Sequence, residues 1–428
     1  MKAHIISIGN ELLIGDTVNT NASWIGRFLT EQGFQVEEVR TITDDYDAII
    51  QSIRYSIDQA DLVVTTGGLG PTHDDITKKA VADLFQAELV LNERVLSHIK
   101  EIFRTRGLLF SPSNRDQALV PEGFEVLFNK KGTAPGLWFE SNGSYLAVLP
   151  GVPHEMKYLM ENRVAGKIND TFPRQEFHAV RYLKTAGVAE STLSDEVIGD
   201  LSEYLNNGTG IAFLPGPAGV TIRLSTVGGS EMEAEEQMKP AMEFIYKRAG
   251  ALIYGEGRDV QVSEILGNLL KKNRLALAAA ESCTGGLLSD TITNIPGSSE
   301  YFLGGVIAYS NRIKRDELNI EMELIDRHGA VSREVALQMA RGVAIKFGAD
   351  IGVSATGIAG PGGGTKEKPV GMVWMGFYLP DKHFALRARF TNDRIKNKQR
   401  TVTVMLETIR RQLLGMNSFP YDLNPDYS

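Results

Sequence analysis

Apolar positions along this chain fall in short runs separated by polar and glycine-rich joints, and the runs alternate between two periods. Residues 4–8 and 62–66 are continuous apolar stretches of strand length, 35–40 alternates, and 24–29 and 49–57 repeat at helical spacing. This rhythm predicts a doubly wound α/β layer with a parallel sheet over residues 4–170, and 145–149 adds a further strand before Pro150-Gly151-Val152-Pro153. Near Asn169-Asp170-Thr171-Phe172-Pro173 the rhythm changes. There 178–184, 211–214 and 220–227 read as strands, with 191–205 and 232–246 as helices, giving a small α+β module. Gly255-Glu256-Gly257-Arg258-Asp259 reads as a linker, after which the first rhythm returns. Helices are expected at 262–272, 287–295, 334–347 and 399–414, and strands at 275–280, 306–309, 351–355, 370–378 and 383–390. The polar, proline-containing stretch after Met416 reads as a loose tail. The fold class is therefore α/β: two α/β domains, 1–172 and 258–416, joined by a small α+β module at 173–254.

Composition narrows the functional classes. A chain of 428 residues is too long for one ordinary domain, and 43% hydrophobic with 23% charged residues is the make-up of a soluble globular protein. Net charge is −8, so phosphate binding must come from local loops and helix ends. The middle module could mimic a KH-type nucleic-acid fold, but it has no G-x-x-G loop between helices. It also holds 6 Lys and Arg against 11 Asp and Glu over 176–250. We read it as a spacer or dimerisation element, and expect a homodimer without direct nucleic-acid contact. One cysteine excludes an intramolecular disulfide and fits a reducing compartment. Residues 1–9 read as a first strand without signal-peptide features, and no apolar run is long enough to span a membrane. The expected location is the cytoplasm.

Candidate chemistry concentrates where strands run into glycines. Ala280-Glu281-Ser282-Cys283-Thr284-Gly285-Gly286 follows a buried strand and opens a helix, which places a nucleophile on a sharp turn. Backbone N–H groups at that helix start, around Thr284, Gly285 and Gly286, are candidates for holding an oxyanion or other anion. Ser282, Cys283 and Thr284 are all possible attackers. A cysteine site normally needs a histidine base, and no histidine lies in the glycine-rich loops here. Lys314 offers another scheme: a desolvated lysine accepts a proton near neutral pH and makes a Ser–Lys dyad, with Tyr309 relaying or orienting that proton. The alternative is that Ser282 caps the helix and Lys314 is a solvated lysine. Thr356 and the loop Gly357-Ile358-Ala359-Gly360-Pro361-Gly362-Gly363-Gly364 suit a phosphate or carboxylate, and Arg394 could clamp an anion. In the first domain, Gly67-Gly68-Leu69-Gly70 precedes Pro71-Thr72-His73-Asp74-Asp75. Glycines admit a phosphate, and Asp74 with Asp75 could hold a divalent cation or simply cap the next helix.

These motifs carry a family resemblance. Glu281-Ser282-Cys283-Thr284-Gly285-Gly286, Tyr309-Ser310-Asn311-x-x-Lys314, Gly329-Ala330-Val331-Ser332, Thr356-Gly357-Ile358-Ala359-Gly360-Pro361 and Lys368-Pro369-Val370-Gly371 resemble the CinA C-terminal family over roughly 258–415. That family includes nicotinamide mononucleotide (NMN) deamidases, which form nicotinic acid mononucleotide and ammonia. The resemblance implies Ser282 as nucleophile, Lys314 as base, Tyr309 as partner, and Thr356, Gly357, Ile358, Ala359 and Gly360 as substrate contacts, with no cofactor. Similar proteins often carry a second arginine after the one matching Arg394, where this chain has Lys398. The segment at Gly67, Gly68 and Gly70, with Gly9-Asn10-Glu11-Leu12-Leu13 and Asn129-x-x-Gly132-Thr133-Ala134-Pro135-Gly136, resembles the molybdopterin-binding (MoaB/MogA-like) half of full-length CinA. It implies ADP-ribose hydrolysis needing a divalent metal of the Mg or Co/Ni type, with Asp74 and Asp75 as metal residues; Asn10 and Glu11 border the site. Other readings are an interaction protein for DNA uptake or damage response, and nucleotidyl transfer to a pterin by the first domain.

Overall fold

The computed structural model describes residues 1–72, 75–172, 176–205, 208–216 and 219–427. They form two compact units, 1–179 with 227–235, and 180–226 with 236–428.

In the first unit a six-stranded sheet runs in the order Gln35–Ile42, Lys2–Ile8, Leu62–Thr66, Ser144–Leu149, Gly136–Ser141, Glu125–Leu127. The first four strands are parallel, and the last two close the edge antiparallel. Side chains alternate between two cores: Ala3, Ile5, Leu62 and Val64 pack under Ile25 and Leu29 of the helix Thr20–Glu31. Ile6, Ile8 and Val63 pack under Ile49 and Ile53 of Tyr46–Ile57. Burial on both faces is what allows a parallel sheet to read as continuous apolar runs. The chain crosses from Lys2–Ile8 to one neighbour and returns to the other, so the carboxyl ends of Lys2–Ile8 and Leu62–Thr66 form the switch point where such sheets bind ligands.

The second unit begins with the middle module. Its four-stranded sheet has the order Gly210–Gly216, Gly219–Gly228, Phe177–Thr185, Ile253–Glu256, with the helix Glu231–Ala249. The continuous helix expected at 191–205 is instead a π-turn, Thr192–Ile198, and a single 3-10 turn, Ser202–Tyr204. Gly199 breaks it in the left-handed region at φ 73°, and the Asp200 carboxylate re-caps the chain by accepting from the Ser202 N–H at 2.9 Å. Gly255 and Glu256, read as linker, pair with Lys184 and Leu183 as the fourth strand.

The C-terminal sheet has the order Phe302–Ile307, Leu277–Glu281, Ile351–Gly357, Met372–Tyr378, His383–Arg389, Pro425–Tyr427. Its first three strands are parallel and the rest antiparallel. Val262–Asn273 and Arg394–Leu413 bury Leu266, Leu270, Met405 and Ile409 on one face, and Arg333–Phe347 buries Val335, Met339 and Val343 on the other. The tail is not loose. Phe419 is buried edge-on against Phe384, and 425–427 add the last strand. Tyr427 also packs against Phe384, so the aromatic residues of an otherwise polar segment hold it down. No helix among the described residues is long and apolar enough to cross a membrane.

Candidate active site

Three parallel strands of the C-terminal domain deliver the site at their carboxyl ends. Strand parity decides which residue of Ser282, Cys283 and Thr284 faces it. Leu277 and Ala279 point into the core beneath Arg394–Leu413, and Cys283 follows them into that core. Ala278 and Ala280 point to the opposite core, where the Asn311–Leu318 helix contributes Leu318, and Ser282 shares their parity. Burial pushes the Cys283 thiol up to about 12, so it carries no thiolate at neutral pH. Thr284 is fully buried, and its hydroxyl finds no partner among the described residues.

Ser282 Oγ lies 3.1 Å from Lys314 Nζ, which also donates to the carbonyl oxygen of Ala308 at 2.8 Å. Lys314 sits in the first turn of Asn311–Leu318, whose N-cap Ser310 accepts from the Ile313 N–H, and it is 1% exposed. Burial favours the neutral amine and lowers its pKa from the ordinary lysine value. The alternative of a solvated Lys314 is excluded.

Glu281 was quoted only as part of a motif, yet it organises the turn. Its buried carboxylate accepts from the N–H groups of Gly286, Leu288 and Ser289 at 3.0, 3.0 and 2.8 Å, and from the Ser289 hydroxyl at 2.7 Å. Glu281, and not Ser282, therefore caps Leu287–Thr293, and the Gly286 N–H is not free for a ligand. The N–H groups of Cys283, Thr284 and Gly285 have no acceptor among the described residues, which leaves the candidate anion donors on the turn itself. Gly285 and Gly286 adopt φ 62° and 96°, the left-handed region that glycine enters freely. Glu281→Gln would turn an amide N–H₂ toward those donors. It should lower stability by about 2 kcal/mol in urea unfolding and reduce turnover in parallel; unchanged stability would contradict the capping role.

The remaining expected contacts divide. Thr356, beside Ser282 across the sheet, gives its hydroxyl proton to Ala330 O at 2.7 Å, fastening the Gly329–Ser332 segment. Ile358 N–H is spent on Met372 O at 2.8 Å, so the loop offers donors only beyond it. Tyr309 is not placed to relay a proton between Ser282 and Lys314: the residue is 63% exposed, its hydroxyl accepts from Arg394 at 3.2 Å, and only its backbone carbonyl faces Lys314, at 3.5 Å. Arg394 also donates to Gly360 O at 2.9 Å and so ties the Tyr309 and Gly360 loops together. Lys398, one turn on, brings its ammonium to 3.5 Å from where a Cβ on Gly285 would stand. The two cations thus flank the turn from the start of Arg394–Leu413. Buried Asn397 was missed. It donates to Ala359 O and Thr391 O and accepts from the Thr391 N–H, pinning the Gly-rich loop to the helix. No sequence signal marks it, because asparagine near a helix start reads as a cap.

In the first unit the loops after Ile8, Thr66 and Leu149 meet. A Cβ on Gly67 would stand 2.2 Å from Ile8 O, and Gly67 has φ 120°, so only glycine allows this approach. Asn21 donates to Thr66 Oγ1 and Gly151 O, closing the third side. Asp75 accepts from the Thr72 N–H at 2.9 Å and from its hydroxyl. Asp74 lies outside the described residues. No three metal-ligating side chains come together among those described. One anchored carboxylate still suits an ion held chiefly by a ligand's phosphate oxygens. Asn10 and Glu11 are exposed at the same edge. Lys78 was not foreseen; it donates to Asp116 O and Gln117 O, and burial lowers its pKa to about 8.

Comparison with known families agrees with this layout. Residues 259–413 match the CinA C-terminal domain, 4–170 the probable molybdopterin binding domain, and 180–255 the damage-inducible protein CinA KH domain. A CinA-like protein of Chloroherpeton thalassium is 43% identical over 423 residues, covering 96% of this chain and 99% of that one. A CinA-like protein of Cytophaga hutchinsonii is 40% identical over 412 residues, covering 96% and 98%. Among solved structures, the protein CinA from Thermoplasma acidophilum is 38% identical with a TM-score of 0.36, covering 39% of this chain and 96% of its own. With near-complete coverage at this identity, the chain belongs to the CinA family.

Proposed function

We propose that the C-terminal domain is an amidohydrolase working through Ser282 and Lys314, with NMN as substrate. The observation that carries the reading is the buried lysine amine 3.1 Å from a serine hydroxyl on a glycine turn. Neutral Lys314 takes the Ser282 proton as Oγ attacks the amide carbonyl. The N–H groups of Cys283, Thr284 and Gly285 face the developing oxyanion. The lysine then passes its proton to the departing nitrogen, and ammonia leaves as the C–N bond breaks. Water, deprotonated by the same amine, cleaves the acyl ester and restores Ser282. Arg394 and Lys398 flank the turn where a substrate phosphate would be held. Lysine gives that phosphate a point charge where a second arginine would give a fork. NMN itself comes from the family resemblance of the motifs.

Because the base must be neutral, kcat/KM for ammonia release should rise with pH and level off below the ordinary lysine pKa of about 10.4. Initial rates across neutral to alkaline pH check this. A rate that falls as pH rises would contradict a lysine base. Lys314→Arg keeps a charge but removes the proton acceptor, and should be inactive throughout.

For the first domain we propose hydrolysis of ADP-ribose to AMP and ribose 5-phosphate. Support comes from the Gly67 turn at the switch point, the anchored Asp75, and the resemblance of these motifs. Asp75, and Asp74 beside it in sequence, would hold a divalent ion, which polarises the diphosphate when bound. Gly67, Gly68 and Gly70 let the turn close against Ile8 O, Thr77 and Asp75, which holds its backbone at the switch point where the phosphates would bind. Asp75→Ala should abolish metal-dependent AMP formation from ADP-ribose while ammonia release from NMN persists; retained AMP formation would overturn the metal role.

A further inference from the structure

The second unit has a further cavity of about 380 Å³, within the range of small-molecule sites. Its walls are the segment 258–261, the starts of Val262–Asn273 and Leu287–Thr293, one stretch of Arg394–Leu413, and the strand pair Phe177–Thr185 and Ile253–Glu256. Neither Ser282 nor Lys314 lines it.

Strand pairing fixes which charges meet there. Tyr182 and Lys184 share one face of Phe177–Thr185, because alternate residues of a strand point the same way. The Arg258 guanidinium carbon lies 5.6 Å from the Tyr182 ring centroid, so Arg258 stands over that face beside Lys184. Gly255 pairs with Lys184 across the strands, and a Cβ on it would stand 2.7 Å from Val260. The segment 258–261 therefore folds over the Lys184 face. Neither Lys184 nor Arg258 has a hydrogen-bond or ion-pair partner among the described residues. Burial lowers the Lys184 pKa from the ordinary lysine value, with Asp259 opposing that shift and Arg258 adding to it. Two cations against one acid leave a single positive charge uncompensated.

The rest of the lining is mostly apolar. Tyr254, Leu287, Val402 and Leu406 form a continuous wall, and all but Leu287 are buried. Ser263 also lines the cavity; it is 2% exposed, and its hydroxyl has no partner among the described residues. A buried hydroxyl without a partner costs free energy until a ligand bonds to it. One excess positive charge beside an apolar wall suits a single carboxylate carried on a flat apolar body.

We propose that this cavity binds a small aromatic monocarboxylate, its carboxylate between Lys184 and Arg258 and its ring on the apolar wall. The test is hydrogen–deuterium exchange on the full chain with benzoate as probe, because exchange locates binding and so separates this cavity from the Ser282 turn. Benzoate should slow exchange at 254–263. Lys184→Met keeps the apolar stem and removes the charge, and should raise the benzoate concentration needed for that protection by at least about tenfold. If that variant fails to fold, Arg258→Gln, on the exposed segment, should shift the protection in the same direction. Benzamide, which lacks the charge, and acetate, which lacks the ring, should protect 254–263 far less at equal concentration. Four results would overturn the proposal: no protection of 254–263 at saturating benzoate, protection confined to 282–286, protection unchanged in the variants, or equal protection by benzamide or acetate.

Discussion

Ser282→Ala should reduce ammonia release from NMN by at least about a thousandfold, whereas Cys283→Ala should leave it within a few-fold of the parent. The asymmetry follows from two neighbouring residues on opposite faces of one strand end. Ser282 reaches the Lys314 amine, while Cys283 lies in the core with its thiol pushed up to about 12. Removing the serine hydroxyl leaves the lysine no proton to take and the substrate no attacking oxygen. Removing the thiol deletes only a buried sulfur, which costs roughly 1 kcal/mol of stability. Loss of activity in Cys283→Ala with retention in Ser282→Ala would reverse the assignment.

Glu407→Leu should destabilise the second unit by about 3–5 kcal/mol, equivalent to a fall in Tm of roughly 10 °C. Glu407 is fully buried on Arg394–Leu413 between two buried arginines. Arg410 binds it through Nε and a terminal nitrogen at 2.7 and 2.8 Å, and Arg411 through Nε at 2.7 Å. Removing the carboxylate strands two guanidinium groups in the core, which costs more than the pairing itself contributes. The same arginines reach Ala251 O and Ala186 O, where the neighbouring strands Ile253–Glu256 and Phe177–Thr185 of the middle module begin and end. Proteolysis near 186 and 251 should therefore accelerate together in the variant. The burial and negative charge that push Tyr254 up to about 12 should also relax, visible as a lower phenol titration. Replacing all three charged residues by apolar ones of similar size should restore much of the loss; a Glu407→Leu protein as stable as the parent would remove the network from the account.

Much of the layout was legible in the sequence because burial on both faces writes strands such as 62–66 and 351–355 as short, mostly apolar runs without a charged residue. The turn that carries Ser282 was legible too, since a serine between a strand and two glycines is a local pattern. What escaped were decisions made by distant chain segments. Cys283 could have been set aside by counting parity from Leu277, but its partner surface, Arg394–Leu413, lies far along the chain. Glu281 looked like an ordinary acid because its donors appear only when the helix folds back over it. Tyr309 was placed with Lys314 by proximity in sequence, yet its side chain leaves the strand toward Arg394. The tail and the fourth strand of the middle module each take their conformation from a sheet edge formed elsewhere, so their own polar composition misled.

The proposed mechanism passes through an acyl ester on Ser282. Acid-quenching the full chain during NMN turnover and mapping its peptides by mass spectrometry tests this directly. A nicotinoyl-nucleotide ester should appear on Ser282, and be absent from Ser282→Ala and from Lys314→Arg. An adduct on Cys283, or steady ammonia release by Ser282→Ala with no adduct at all, would contradict it.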